Sequence, residues 1–254
     1  MRIAVITGAS SGLGREFAHQ LGEDKTLDEI WLIARREDRL CEVQKVCARP
    51  VRPVPMDLTK EENIAALLAL FQKEKPEIAV LVCAAGYGRI GPTAKIPLAD
   101  NDGMIDLNCR AAVAVTTVAL PWLTKGSRVL EICSTAAFQP MPYLNVYAAT
   151  KAFLQSYTKT LHYELLGTGI HVTAVCPYWI KDTEFIQNAQ KTDEDSYHFL
   201  LANRAHTVVQ WALFDSSLNL WVSTPGPVCM AHRLVAKFIP HFLMVPLMDL
   251  LRHV

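Results

Sequence analysis

The chain has 254 residues, 51% of them hydrophobic and 20% charged, with 25 basic side chains set against 25 acidic ones. This composition builds a sizeable core and excludes a disordered chain. A formal net charge of zero gives no footing to a polyanion partner, so no nucleic acid is expected.

In chain order, the N-terminal MRIAVITGAS carries an apolar run too short for a signal peptide and leads straight into a glycine turn. Runs 3–7, 29–34, 51–56, 78–84, 127–133 and 170–176 read as strands, and 219–223 reads as a seventh. They are nearly continuous in apolar residues, as strands covered on both faces are. Helical patterns lie between them at about 12–22, 36–48, 60–74, 101–124 and 144–167. The alternation predicts an α/β fold: a Rossmann-like, doubly wound, seven-stranded and mostly parallel sheet with helices on both faces. Neither a linker nor a repeat interrupts it, so residues 1–254 read as a single domain.

Residues 182–215, polar and then helical, fall between the sixth and seventh strands. That is the carboxyl edge of the sheet, where ligands bind in open α/β folds, so the segment is a candidate substrate lid. The tail, about 226–254, reads as helical. No uninterrupted apolar stretch reaches the length of a membrane span; LVAKFIPHFLMVPLMDLL comes nearest, broken by Lys237, Pro240, His241 and Pro246. Packing of this tail on a second subunit or on the core is favoured over peripheral contact with a membrane interface. Cys41, Cys47, Cys83, Cys109, Cys133, Cys176 and Cys229 are odd in number and form no C-x-x-C pair. They read as free thiols of a cytoplasmic protein, and no His/Cys spacing suggests a metal.

The first strand ends in TGASSGLG, residues 7–14, which supplies Gly8, Ser10, Ser11, Gly12, Leu13 and Gly14. Glycines between a strand and a helix start permit a tight turn and close backbone approach to a pyrophosphate. The amides and dipole of the helix N-terminus attract that anion. The second strand ends IARREDRL, with Ala34 where an acid would bond a ribose hydroxyl and Arg35, Arg36 and Arg39 following. Guanidinium groups suit a 2′-phosphate, so NADP(H) is expected rather than NAD(H). Tyr147 and Lys151, in NVYAATKAFL, share a helical face by their i, i+4 spacing. Alone, that pair reads first as an aromatic and a cation on a helix surface.

Further residues fall into series with these: Asp57 and Leu58 after the third strand, Ala84, Ala85 and Gly86 in CAAG after the fourth, Asn108, then Ser134 closing the fifth. Pro177 and Thr183 follow the sixth. In order and interval the set resembles the short-chain dehydrogenase/reductase family from about residue 3 to 186. The resemblance implies a catalytic tetrad of Asn108, Ser134, Tyr147 and Lys151. Tyr147 would exchange a proton with a carbonyl or alcohol oxygen while the cofactor exchanges hydride. Lys151 would favour the phenolate and bond the nicotinamide ribose, Ser134 would hold the substrate oxygen, and Asn108 would hold a water of a proton relay. Asp57 would bond the adenine, Leu58 would pack near it, and Thr183 would bond the carboxamide. Two positions depart from the family pattern: Cys83 stands where an Asn is usual, and Tyr178 where a Gly is usual.

Substrate contacts are expected from Ala136, Phe138, Met141 and Tyr143 after Ser134, and from Tyr178, Trp179 and Phe185. The set is apolar and aromatic, which suits a small hydrophobic ketone or secondary alcohol. Steroid and 3-oxoacyl substrates both fit, and a homodimer or homotetramer is expected. The competing reading is a non-catalytic NADP(H)-sensing regulator or scaffold on the same fold. A complete tetrad argues against it, because a pure binder has no need of one.

Overall fold

A computed structural model describes residues 1–192 and 201–251. Strands β1 (Arg2–Thr7), β2 (Glu29–Ala34), β3 (Val51–Pro55), β4 (Glu77–Cys83), β5 (Leu123–Ile132), β6 (His171–Val175) and β7 (Val222–Ser223) form one sheet in the order β3-β2-β1-β4-β5-β6-β7. Every neighbouring pair is parallel, so the expected mostly parallel sheet is wholly so. Winding runs outward from β1 to β3, then returns to the centre as β4. The carboxyl ends of β1 and β4 therefore diverge, leaving a crevice at that switch point.

The alternation of side chains explains why the strands read as unbroken apolar runs. Ala4, Ile6, Ile30 and Leu32 face one layer, which holds Phe17, Ala18 and Leu21 of α1 (Gly12–Leu21) and Leu40 and Val43 of α2 (Glu37–Val46). Ile3, Val5, Trp31 and Ile33 face the other, against Leu67 and Phe71 of α3 (Glu61–Glu74) and Val115 and Ala119 of α5 (Ala112–Ala119). Each large side chain so covered contributes roughly 1.5–3 kcal/mol. Trp31 stacks on Phe71 at 5.7 Å, and the Arg52 guanidinium lies 4.9 Å over the Trp31 ring.

Four predicted spans differ from the structure. The helix expected at 101–124 begins earlier as α4 (Leu98–Ile105), widens into a π-helical turn (Asp106–Ala111), and ends with α5 at Ala119. A short 3-10 turn, Leu120–Trp122, carries Pro121, which cannot continue the α-helical bonding. By length and composition Leu98–Trp122 is apolar enough to cross a membrane, although Asp100, Asp102, Asp106 and Arg110 interrupt its apolar run; its inner face packs on the sheet. β5 starts at Leu123 rather than at 127. β7 is only two residues long, and Asn219, three residues before it, turns the chain in the left-handed region (φ 55).

The candidate lid is also shorter than expected. Its second half is α8 (Ala205–Ser217), whose Val208, Val209 and Ala212 are wholly buried, Val209 and Ala212 in the α1 layer. A parallel β6–β7 connection needs such a crossover, so α8 covers the sheet instead of the site. Residues 193–200 of the predicted lid lie outside the described residues. The tail forms α9 (Pro227–Phe238) and α10 (His241–Leu251), separated at Ile239 and Pro240. Cys229 and Met244 face inward.

Candidate active site

β1 ends at Thr7 and α1 begins at Gly12, so four residues turn the chain at the switch point. Gly8 (φ +67) and Gly12 (φ +53) take left-handed conformations. A Cβ at Gly8 would come within 2.7 Å of the Ala85 amide, and one at Gly14 would strike the Gly8 carbonyl. The Thr7 hydroxyl accepts from that Ala85 amide at 3.1 Å, pinning the β1 and β4 turns together. Ser11 precedes α1 without capping it, and no acidic residue stands in the first turn. The uncapped amides and the open backbone floor fit a dinucleotide pyrophosphate.

This floor opens into a cleft of about 680 Å³. Gly8, Ser10, Ser11, Gly12, Leu13 and Gly14 line one end, with Arg35 and Arg36, Asp57 and Leu58, and Ala84, Ala85 and Gly86. Asp57 Oδ1 accepts from the Thr59 hydroxyl (2.7 Å) and amide (3.0 Å). Burial pushes its carboxyl up, but these bonds and the charges of Arg35 and Lys60 outweigh that and leave its pKa lowered. Arg36 Nη2 donates to Ser10 Oγ at 3.2 Å. Arg39 lies outside this wall, in a neighbouring depression shared with Glu16 and Lys181. Arg36 and Arg39 both pair with Glu184, at 3.6 and 3.4 Å.

Ser134, Tyr147 and Lys151 line the middle of the cleft with Pro177 and Thr183. Ser134 stands two residues past the end of β5, and its Oγ accepts from the Ala136 amide at 3.1 Å. Tyr147 and Lys151 stand one turn apart on the inner face of α6 (Asn145–Glu164), only 6% and 5% exposed. Lys151 Nζ donates to the Ile132 carbonyl at 2.7 Å and lies 5.7 Å from the Tyr147 ring centre. Burial pushes the Tyr147 phenol above its ordinary range, opposed by a hydrogen bond with Ser134. Burial likewise lowers Lys151, with nearby thiols and Glu131 opposing.

Asn108 is fully buried behind this row and does not line the cleft. The π-helical turn carries it, and its Nδ2 donates to the Tyr87 carbonyl (2.9 Å) and Thr150 Oγ1 (3.0 Å). Its Oδ1 accepts from the Tyr87 amide at 3.0 Å, and Thr150 Oγ1 donates to the Tyr147 carbonyl at 2.7 Å. A Cβ at Gly86 would fall 2.8 Å from Asn108 Oδ1 and 3.4 Å from Lys151 Nζ, so the two converge behind that glycine.

Ala136, Met141, Tyr178, Trp179 and Phe185 line the far end. Phe185 packs on Tyr147 at 5.5 Å and on Trp179 at 6.3 Å. Two expected contacts fall elsewhere. Phe138 turns away to meet His232 of α9 edge-on at 5.9 Å, which docks the tail. Tyr143, at φ 63, sits in the apolar cluster behind the wall with Ile90 and Met248, and its carbonyl accepts from the Gly91 amide at 2.9 Å. Cys83 points beneath the sheet, 3.5 Å from Thr116 Oγ1.

Other cleft residues escaped the sequence reading. Tyr87, Arg89 and Asp100 form one wall, with Arg89 Nε 3.0 Å from Asp100 Oδ2 and its guanidinium 5.1 Å over the Tyr87 ring. YGR directly follows CAAG, and that adjacency was the available signal. Glu184 borders both Thr183 and Phe185, but nothing in its own position marks it as facing two arginines. Met248 of α10 joins the apolar cluster from a tail that no motif ties to the site.

Comparison with known proteins agrees with this geometry. A family model described as short chain dehydrogenase matches residues 2–194. An uncharacterized oxidoreductase of Staphylococcus epidermidis is 33% identical over 230 residues, covering 89% of this chain and 97% of the relative. Sulfoacetaldehyde reductase 2 of Chromohalobacter salexigens is 34% identical over 192 residues, covering 72% and 74%. Among solved structures, the closed form of a serine dehydrogenase complexed with NADP+ is similar at a TM-score of 0.77 and 26% identity, over 87% of this chain and 94% of that one.

Proposed function

The chain belongs to the short chain dehydrogenase family and is an oxidoreductase of that family; on this premise we propose that it is an NADP(H)-dependent reductase of hydrophobic ketones, reversible toward secondary alcohols. The observation that carries the proposal is the meeting of Ser134, Tyr147 and Lys151 in one cleft with the glycine turn and Arg35 and Arg36. NADP(H), when bound, supplies the hydride chemistry. Gly8, Gly12 and Gly14 hold its pyrophosphate, Arg35 and Arg36 its 2′-phosphate, Asp57 its adenine, and Thr183 its carboxamide.

The chain's own side chains handle the proton. Tyr147 Oη donates to the carbonyl oxygen, which Ser134 Oγ orients and stabilises as negative charge develops. Burial raises the phenol and the hydrogen bond with Ser134 opposes it, so the proton leaves only as the phenolate is stabilised beside it. Lys151, fixed by the Ile132 carbonyl, offers its cationic head to the ribose and to the phenolate left behind. Asn108 anchors this row through Thr150, whose hydroxyl donates to the Tyr147 carbonyl. Ala136, Met141, Tyr178 and Trp179 favour an apolar substrate. The bound NADP+ of the similar serine dehydrogenase supports the cofactor class.

The test is NADPH oxidation with a panel of apolar ketones, comparing the wild type with Tyr147→Phe. Turnover by the wild type and its loss in the variant are expected; equal rates, or no turnover across the panel, would overturn the reading.

A further inference from the structure

Resting on the cofactor reading above, we propose that Glu184 is a specificity-determining gate: braced by Arg39 outside the wall, it occupies Arg36 until a 2′-phosphate takes that guanidinium, and its release draws Phe185 off Tyr147. The Glu184 carboxylate straddles the two guanidinium groups, Oε2 3.6 Å from Arg36 Nη2 and Oε1 3.4 Å from Arg39 Nη1. Arg36 Nη2 also donates to Ser10 Oγ, so the same cation belongs to the glycine-turn wall. A carboxylate and a phosphate make the same charge-assisted bonds to a guanidinium, and the two ligands exclude each other there.

The strap that carries Glu184 runs the length of the cleft. Thr183 lies over the glycine turn, with its methyl group 3.6 Å from where a Gly12 Cβ would stand. Phe185, the next residue after Glu184, opens α7 (Phe185–Ala189) with its ring 5.5 Å from that of Tyr147. A Cβ at Gly88 would sit 2.9 Å from Tyr147 and 3.2 Å from Phe185, so the two rings fill the floor together. Tyr147 is consequently 6% exposed. One short segment thus neutralises the anion subsite at one end and covers the proton donor at the other.

The pairs are weak enough to yield. All three side chains are between 38% and 45% exposed, and ion pairs of that kind are screened by solvent. A phosphate brings more charge and a third acceptor oxygen, so it wins the Arg36 guanidinium. A dinucleotide without the 2′-phosphate leaves the strap shut. Discrimination between the two then resides in the uncovering of Tyr147 as well as in binding.

The experiment titrates 2′,5′-ADP and 5′-ADP into the wild type and the isosteric Glu184→Gln, and follows amide hydrogen exchange of residues 184–189. Glu184→Gln is expected to bind 2′,5′-ADP about three- to fivefold more tightly with 5′-ADP unchanged. In the wild type, 2′,5′-ADP and not 5′-ADP should speed exchange across 184–189. Equal or weaker binding of 2′,5′-ADP by Glu184→Gln, or exchange that 2′,5′-ADP leaves unaltered, overturns the gate. If both proteins bind 5′-ADP as tightly as 2′,5′-ADP, the 2′-phosphate reading itself falls and takes the gate with it. That result is distinct, because in the other failures 2′,5′-ADP still outbinds 5′-ADP.

Discussion

At the glycine-turn end the cleft is walled largely by backbone; at the aromatic end it is walled by side chains from separated segments. Gly8 and Gly14 have no room for a Cβ, and Thr7 and Ala85 tie β1 to β4, so that end is fixed by where strands stop. The aromatic end draws Met141 from the loop before α6, Trp179 and Phe185 from the strap, and has Met248 of α10 behind it. Backbone geometry resists substitution, whereas packed side chains exchange with small adjustments. The first end therefore sets a fixed chemistry and the second an adjustable specificity.

Breaking the chemistry where the two ends meet should have the largest effect. Tyr147→Phe keeps the ring and its contact with Phe185 but removes the proton, and kcat should fall by about 10²–10⁴-fold. Dinucleotide affinity, read by fluorescence titration, should stay within about twofold, since the loss is confined to a transition-state interaction. A matching loss of affinity would show that Tyr147 serves to bind.

The next effect lies beneath the middle of the sheet. Glu131 is fully buried on β5, Thr116 Oγ1 donates to its Oε1 at 2.5 Å, and its Oε2 has no hydrogen-bond partner among the described residues. Burial pushes its carboxyl up to about 7, against hydrogen bonds from Thr116 and Cys83 and the charge of Lys151. The folded state holds this proton more tightly than the unfolded one. Its contribution is therefore complete below the unfolded value of 4.5 and is lost as pH rises through about 7. The loss amounts to about 3 kcal/mol. Urea midpoints should fall between pH 5 and pH 8, and Glu131→Gln should flatten that slope. An unchanged slope in the variant would place the titrating group elsewhere.

Smaller again is the arginine wall. Arg35→Ala with Arg36→Ala removes the charge facing the proposed 2′-phosphate and should weaken NADPH about 10–100-fold while leaving NADH nearly unchanged. Equal losses for both cofactors would mean that the arginines act only on the fold of the glycine turn.

The same contrast explains what the sequence made legible. Strand runs and the glycine spacing are backbone requirements, written locally, and the order of Ser134, Tyr147 and Lys151 follows from where β5 and α6 start and stop. Phe138 and Tyr143 were expected in the cleft and lie outside it, because three residues of 3-10 turn and one left-handed residue decide where their rings point. Arg39 reached past the wall to Glu184 for the same kind of reason: a long side chain goes to the nearest opposite charge. α8 was expected in the lid because it falls between the sixth and seventh strands, at the carboxyl edge of the sheet. Only the sheet it covers distinguishes a crossover helix from a lid.

The smallest effect tests whether the aromatic end is as adjustable as its construction implies. Met248 reaches the apolar cluster from α10, together with Tyr143 and Met141. Met is flexible and fills irregular gaps, so its removal leaves space that neighbours partly take up. Met248→Ala should leave NADPH affinity and the Tyr147-dependent pH profile unchanged. It should shift KM between short and long ketones by less than about tenfold, with long ones gaining, since a methylene in an apolar pocket is worth about tenfold or more and the neighbours take back part of the space. If the shift appears for every substrate equally, or moves with cofactor affinity, then α10 supports the whole cleft. The division between a fixed end and an adjustable one would then fail at its most permissive residue.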